Sequence, residues 1–441
     1  MSVTVHLFHN FVNTQNDVLP TDHVSVASVE PVTTTSRPAR PTAWRNAVFA
    51  AFALNGFGIS AWVARIPSVR DHLHITVGEV GILIFGLALG SVVGLVLAGH
   101  IVHWLGGRQS IRVSLIVAGV ALAGIGFGTT VLSSFAVVLV SLTLYGFCSA
   151  ICDVAMNVEG AAVEQKSGRT IMPLFHACWS LGTVVGAGIG SAAAFAGIDP
   201  VWHLGAVGVL LIAAVPIIAR FITDAEHLDA VGAPAAPLTF AQRMAIWLEP
   251  RTLLIGLIVL GMAFTEGSAN DWLALAMVDD RHVDNGQGAL LFGVFTVSMT
   301  IGRVVGGPLI DRLGRVVALR LSGAAAAIGL AVVILVPSVP VAVVGIVLWG
   351  LGASLGFPMG MSAAGDDPTR AAARVSAVAT IGYVAFLVGP PVIGFVGDRI
   401  GLLNALWIVL VLIIIAVAAA PAARERSGRF ARAGSGASPL T

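Results

Sequence analysis

The sequence predicts an all-α membrane protein of twelve transmembrane helices in two six-helix halves, each half built from two inverted three-helix repeats. Three observations carry that prediction. Of 441 residues, 57% are hydrophobic and 11% charged, under half the roughly 25% charge of a soluble domain. A glycine frame recurs four times at regular spacing. The basic side chains gather in alternate loops.

The fullest copy of the frame runs from Gly302 to Arg315, and its core, G-x-x-x-D-R-x-G-R, spans Gly307, Asp311, Arg312, Gly314 and Arg315. A second copy, Gly394 to Gly401, keeps the acid and base as Asp398 and Arg399. A third begins at Gly99, with His103 and Trp104 where the pair would stand and Arg108 one place late. The fourth, Gly190 to Gly197, keeps only the glycines. Gly99 and Gly307 lie 208 residues apart and Gly190 and Gly394 lie 204 apart, while copies within a half are separated by 91 and 87. The shorter interval is about three spans of roughly 20 to 25 residues with their loops, which gives two homologous halves of two units each.

Glycines at the end of a span let a neighbouring helix approach closely, and an acid and a base in the following turn supply charges that can latch onto the other half. Asp311, Arg312, Arg315 and Arg303 are therefore expected to form a cytoplasmic gate, with Arg374 as the partner of Asp311. His103 and Arg108 are the weaker counterparts in the first half, and Arg169 is the expected basic partner for an aspartate restored by His103→Asp.

Taken in order, residues 1–43 are polar and lack the apolar core of a signal peptide, so a disordered cytoplasmic tail is expected. The first six-helix half is 44–222, with spans at 44–66, 78–102, 109–130, 132–157, 171–195 and 200–222. A charged stretch with Ala and Pro over 223–250 reads as a cytoplasmic linker. The second half is 251–421, with spans at 251–277, 287–310, 316–336, 339–363, 371–396 and 401–421. Residues 422–441 form an arginine-rich cytoplasmic tail. Placing both termini inside puts Arg108, Arg112, Lys166, Arg220, Arg312, Arg315 and Arg320, among others, on the cytoplasmic side against Arg65, Arg70, Arg281 and Arg399 outside, as the positive-inside rule requires.

An ionisable group at mid-membrane costs roughly 2.5 to 3.5 kcal/mol on insertion scales, so each needs a partner or a task. Glu266 lies near the middle of span seven, with Asn270 on the same face and Asp271 about 100° further round. Glu266 is read as a proton carrier or substrate acceptor, against the alternative of a carboxyl tying two helices together. Span four carries Tyr145, Ser149, Asp153 and Asn157 at four-residue intervals, a stripe facing water or protein. Span five presents His176, Ser180 and Thr183, so Asp153 and His176 could meet as a relay or a structural bond. Span eleven repeats the theme with Ser376, Thr380 and Tyr383, and span one contributes Asn55. Gly350, Gly352, Gly356 and Pro358, and the run Gly389-Pro390-Pro391, suggest bent helices lining a cavity. No metal site is expected, since Cys148 and Cys152 share a helix face without other soft ligands. No disulfide or cofactor is expected either.

The Gly302 to Arg315 stretch resembles the loop signature of the major facilitator superfamily, and the resemblance covers roughly residues 44–421. Four segments are similar to a bacterial inner-membrane branch related to the fucose permeases: Asp153 to Asn157 with Glu164 and Gly168-Arg169; Phe175-His176; Glu266 to Trp272; and Gly382-Tyr383 leading to Gly389-Pro390-Pro391. The resemblance implies the major facilitator fold, alternating access, proton coupling and a multi-pass protein of the bacterial inner membrane. Fucose-permease-like symporters use a carboxylate in the first span, whereas this chain has Asn55 there. That shifts the expected proton site to Glu266 or Asp153.

The leading function is a secondary active transporter of a small organic solute, with protons and the lipid bilayer as its other partners, acting as a monomer. Nucleic acid is not an expected partner. The alternative is a membrane sensor or receptor on the same fold without net transport. An enzyme is not expected: Gly352-Ala353-Ser354-Leu355-Gly356 fits G-x-S-x-G but lies inside a span, where the strand that such an elbow needs is missing.

Overall fold

In the computed structural model, residues 41–167, 171–222, 245–366 and 370–425 are described. The expected tails, most of the expected linker, and Arg169 lie outside them. The helices are α1 (Pro41–Val63), α2 (Ile66–Leu73), α3 (Val77–Leu105), α4 (Gly107–Thr130), α5 (Phe135–Ser167), α6 (Met172–Phe195), α7 (Pro200–Ala219), α8 (Pro250–Arg281), α9 (Asn285–Leu313), α10 (Arg315–Leu335), α11 (Val339–Ala353), α12 (Gly356–Ala364), α13 (Ala371–Ile400), α14 (Leu402–Ala405) and α15 (Trp407–Ala419). Twelve membrane-spanning helices result among the described residues, with α11 and α12 sharing one span and α14 and α15 another. The chain is thus a multi-pass membrane protein. Its backbone is helical because hydrocarbon offers no other hydrogen-bond partner, and large aliphatic side chains such as Val96, Val209 and Val304 lie exposed where lipid would be.

The duplication is visible in the punctuation of the helices. All four frames end on a glycine in the left-handed region: Gly106 at φ 79°, Gly197 at 65°, Gly314 at 75° and Gly401 at 86°. Only glycine adopts that conformation without strain, so the second glycine of the frame turns the chain between two spans. The starts of α3 and α9 match too. His74 and His282 are left-handed at φ 52° and 56°, and two residues later each helix opens with a capping box, Thr76 with Glu79 and Asp284 with Gln287. A cap of this kind is worth about 1 kcal/mol.

Three spans differ from the sequence reading. The first ends at Val63, and the chain then makes the extra short helix α2, which Pro67 initiates. The fourth continues ten residues past Asn157 to Ser167, so Asn157 lies well inside a helix. The tenth breaks between Ala353 and Gly356, where Ser354 Oγ, fully buried, donates to the Leu351 carbonyl at 2.6 Å. Span eleven, by contrast, carries Pro390 and Pro391 without interruption.

Candidate functional site

The end of the bundle where the described chain begins and stops is here the terminal end, and the opposite one the far end. Toward the far end the halves pack tightly. The Gly394 position of α13 lies against the Val77 carbonyl and Gly81 Cα of α3, and a methyl group on Gly81 would stand 3.0 Å from the Pro390 carbonyl. Across the pseudo-twofold, a methyl on Gly286 of α9 would stand 2.6 Å from the Phe195 ring of α6, and Ser191 Oγ donates to the Gly286 carbonyl at 2.9 Å. Arg70 of α2 pairs with Asp279 of α8 at 2.7 Å, and Asn285 donates to Asp71 at 2.8 Å. These bonds clasp one half to the other.

At the terminal end the same frame meets open space: among the described residues, nothing outside its own helix lies within 4 Å of where a side chain would begin at Gly99 or Gly307. His103, Asp311 and Arg312 are exposed and Arg108 is half-buried. Asp311 makes no ion pair among the described residues. Its expected partner Arg374 is buried and bonded to Glu249 at 2.8 Å, which also receives Arg370 at 2.6 Å. Burial alone would raise the Glu249 carboxyl, but the hydrogen bonds from Arg374 and Arg370 outweigh it and hold the group below its ordinary value. Arg315 points inward instead of across the halves, pairing with Asp366 at 3.0 Å, while Arg251 reaches the same carboxylate at 3.1 Å.

Between the clasped and open ends lies a cavity of about 250 Å³, lined by Ile84, Ala88 and Ser91 of α3, Asp153 of α5, Asp271 of α8, and Tyr383 and Phe386 of α13. Both halves thus contribute a carboxyl group to one chamber. Neither Asp153 nor Asp271 has a cationic partner among the described residues. Asn157 braces Asp153 by donating from Nδ2 to its carbonyl at 2.8 Å and more loosely to Oδ1 at 3.4 Å. The upper part of the α5 stripe turns elsewhere: Ser149 donates to buried Asn55 Oδ1 at 2.8 Å, tying α5 to α1.

Two expected groupings are replaced by others. Asp153 and His176 are not brought together; Asp153 faces Asp271 and Tyr383, while His176 stands edge-on to Phe52 with centroids 5.3 Å apart. Arg303 is not at the terminal surface. Its Nη2 donates to both oxygens of Glu266, at 2.9 and 3.0 Å, because ten residues of helix, about 15 Å, separate it from Leu313. Asn270 is half-buried beside this group.

The partners Asp279, Asp71, Asn285, Glu249, Asp366 and Arg251 were not singled out from sequence. Periodicity says which face a residue occupies, not which distant helix answers it. The 207-residue offset between Glu159 and Asp366 was the available signal for one of them.

Comparison with known proteins agrees with this architecture. The Major Facilitator Superfamily profile matches residues 48–390 and 270–440. An uncharacterized MFS-type transporter of Yersinia pestis is 30% identical over 361 residues, covering 81% of this chain and 90% of that protein. Membrane protein MosC of Rhizobium meliloti is 29% identical over 360 residues, covering 81% and 85%. Among solved structures, a point variant of the nucleoside transporter NupG superposes with a TM-score of 0.70 at 14% identity, covering 87% of this chain and 99% of that one. FucP in its outward conformation gives 0.61 at 14% identity, covering 87% and 99%. On the family match and the Yersinia relative, this chain belongs to the Major Facilitator Superfamily.

Proposed function

We propose that the protein is a secondary active transporter that moves a small organic solute by alternating access, coupled to protons, in the inner membrane of a bacterium. The terminal end faces the cytoplasm, by the arginine bias of its loops, so the conformer described is inward-open. One contrast supports the reading above all. The same glycine frame is packed against the other half at Gly394 and faces open space at Gly99 and Gly307. A frame built for close helix approach, yet bare at one end, belongs to a protein with a second arrangement in which that end closes.

Proton coupling rests on Asp153 and Asp271. Two carboxyl groups in one chamber within the membrane, neither with a cationic partner among the described residues, cannot both stay ionised cheaply, and a chamber that opens to alternate sides lets them take a proton from one and release it to the other. Glu266, held by Arg303, is the less suitable carrier. Uptake into proteoliposomes with and without an inward-acid pH gradient tests the proposal. Accumulation driven by the gradient and lost in Asp271→Asn or Asp153→Asn, with solute exchange retained, is the expected result. Accumulation indifferent to the gradient would remove proton coupling; no uptake of any solute would remove transport itself.

A further inference from the structure

Arg303 sits about mid-membrane, yet only one of its nitrogens is in use. Nη2 serves both Glu266 oxygens, and Nε and Nη1 have no partner among the described residues. The side chain is 31% exposed. That exposure faces the space between the halves and not lipid, because Arg303 follows Phe292, Thr296 and Met299 along the buried face of α9 while Ile301, Val304 and Val305 occupy the outer face. Across that space stands His176, exposed, its ring set by Phe52: α6 and α9 run side by side, with Ala187 3.7 Å from the Gly293 position, and His176 and Arg303 lie eleven and ten residues further along the two helices toward the terminal end. Two potential donors from opposite halves therefore lie at a similar level of the bundle, Arg303 with N–H groups that have no partner among the described residues. Glu266, itself only 15% exposed, fixes the guanidinium from behind.

We infer that Arg303 and His176 form a subsite for an oxyanion, so that the transported solute carries a carboxylate or phosphate group. This rests on the reading of the protein as a solute transporter. Arginine suits the task because its planar fork meets an oxyanion with two parallel hydrogen bonds. Glu266 acts as a positioning residue. Of the other ionisable groups, Glu266 bonds Arg303 directly, and Asp271, five residues further along α8, lines the cavity with Asp153 of α5 and Tyr383 of α13. Glu266 is already held by Arg303, so an anion is attracted at the free edge of the guanidinium and repelled at the cavity wall that carries Asp153 and Asp271. That polarity fixes which end of the solute leads. A neutral sugar would offer the guanidinium edge weaker hydrogen bonds, without the opposite charge that an oxyanion brings.

Thermal stabilisation of the purified full-length protein in detergent, at constant ionic strength, tests the inference without requiring transport. The oxyanion probes are glucuronate, glucose 6-phosphate and succinate; glucose and glucosamine are their neutral and cationic counterparts, and inorganic phosphate stands alone. At least one oxyanion probe is expected to bind at least tenfold more tightly than glucose or glucosamine. That preference should fall roughly tenfold or more in Arg303→Gln, and in the paired variant Arg303→Gln with Glu266→Gln, which removes the charges together and guards against misfolding. His176→Ala should weaken the same probe by a smaller factor. Preference for glucose or glucosamine, binding of no oxyanion probe, or an undiminished preference in the paired variant would overturn the subsite. So would inorganic phosphate binding as well as glucose 6-phosphate, which means a simple ion only. A protein that binds oxyanions but shows no uptake in proteoliposomes would keep this inference and lose the transport reading; the reverse result would do the opposite.

Discussion

Glu159 and Asp366 are one carboxylate seen twice, 207 residues apart at the same point of the two halves. Trp44 Nε1 donates to Glu159 at 2.9 Å, and Arg251, 207 residues after Trp44, donates to Asp366 at 3.1 Å. Where Arg315 forks onto Asp366, the first half has Gly107, whose missing side chain would run straight into the Glu159 carboxylate. The position is kept while its chemistry differs: a charged knot in one half, an indole-bound acid in the other.

Asp366→Asn should therefore be strongly destabilising. It leaves Arg315, 6% exposed, as a buried cation without its counter-charge, an effect of about 3 to 5 kcal/mol. Trp44→Phe removes one donor from a buried acceptor and should cost about 1 to 3 kcal/mol. Thermal melting of the purified variants in detergent separates the two. Equal small losses would show that the Asp366 knot is not what holds the ends of α8, α10 and α12 together.

The Arg70 and Asp279 pair joins the halves at the far end with about a fifth of each side chain exposed. A pair so placed is worth about 1 kcal/mol. Asp279→Ala should shift the balance toward the far-end-open state about fivefold, and less at high salt. Labelling of a cysteine introduced into the cavity wall, from the far side, should rise accordingly. Unchanged labelling at low salt would mean that this pair does not set the balance.

Asp311 has no ion pair among the described residues in this conformer, so Asp311→Asn should leave the melting of the terminal-end-open form unchanged. If Asp311 latches the closed form, the same substitution should raise labelling of the cavity from the terminal side, about tenfold for a latch worth about 1.4 kcal/mol. A drop in melting with no change in labelling would make Asp311 a folding residue.

Glu249 offers a pH test outside the spans. Its carboxyl titrates below its ordinary value through Arg374 and Arg370. A group with a depressed folded value contributes stability that is fully present above its unfolded value, about 4.3, and lost as pH falls through the folded one. The wild type should exceed Glu249→Gln in stability at pH 7, and the gap should close on acidification below about pH 4.3. A gap independent of pH would assign the effect to packing at the start of α8.

Much of the architecture was legible because it repeats. The spans announce themselves by hydropathy and the turns by the frame glycines, which must be glycine for a backbone reason. Asp153, Asp271 and Tyr383 were legible singly, as polar groups where lipid forbids them, but not as a set. They come from α5, α8 and α13, and nothing in the spacing along one helix states which face another turns toward it. Arg303 illustrates the limit most plainly. Its place in the loop motif suggested a surface gate, whereas the length of α9 carries it about 15 Å from that surface, to Glu266.

Gly99 and Gly307 carry a further consequence. A glycine inside a helix lowers stability by roughly 0.5 to 1 kcal/mol relative to alanine, and in this conformer neither residue has a neighbour among the described residues that requires it. Replacing both with alanine would make the protein more heat-resistant in the form seen here. The same methyl groups would stand in the way when the neighbouring helix arrives, so the hardier variant would be the slower one. At these two positions robustness and turnover are opposed, and a screen for thermostability alone would select against the working cycle.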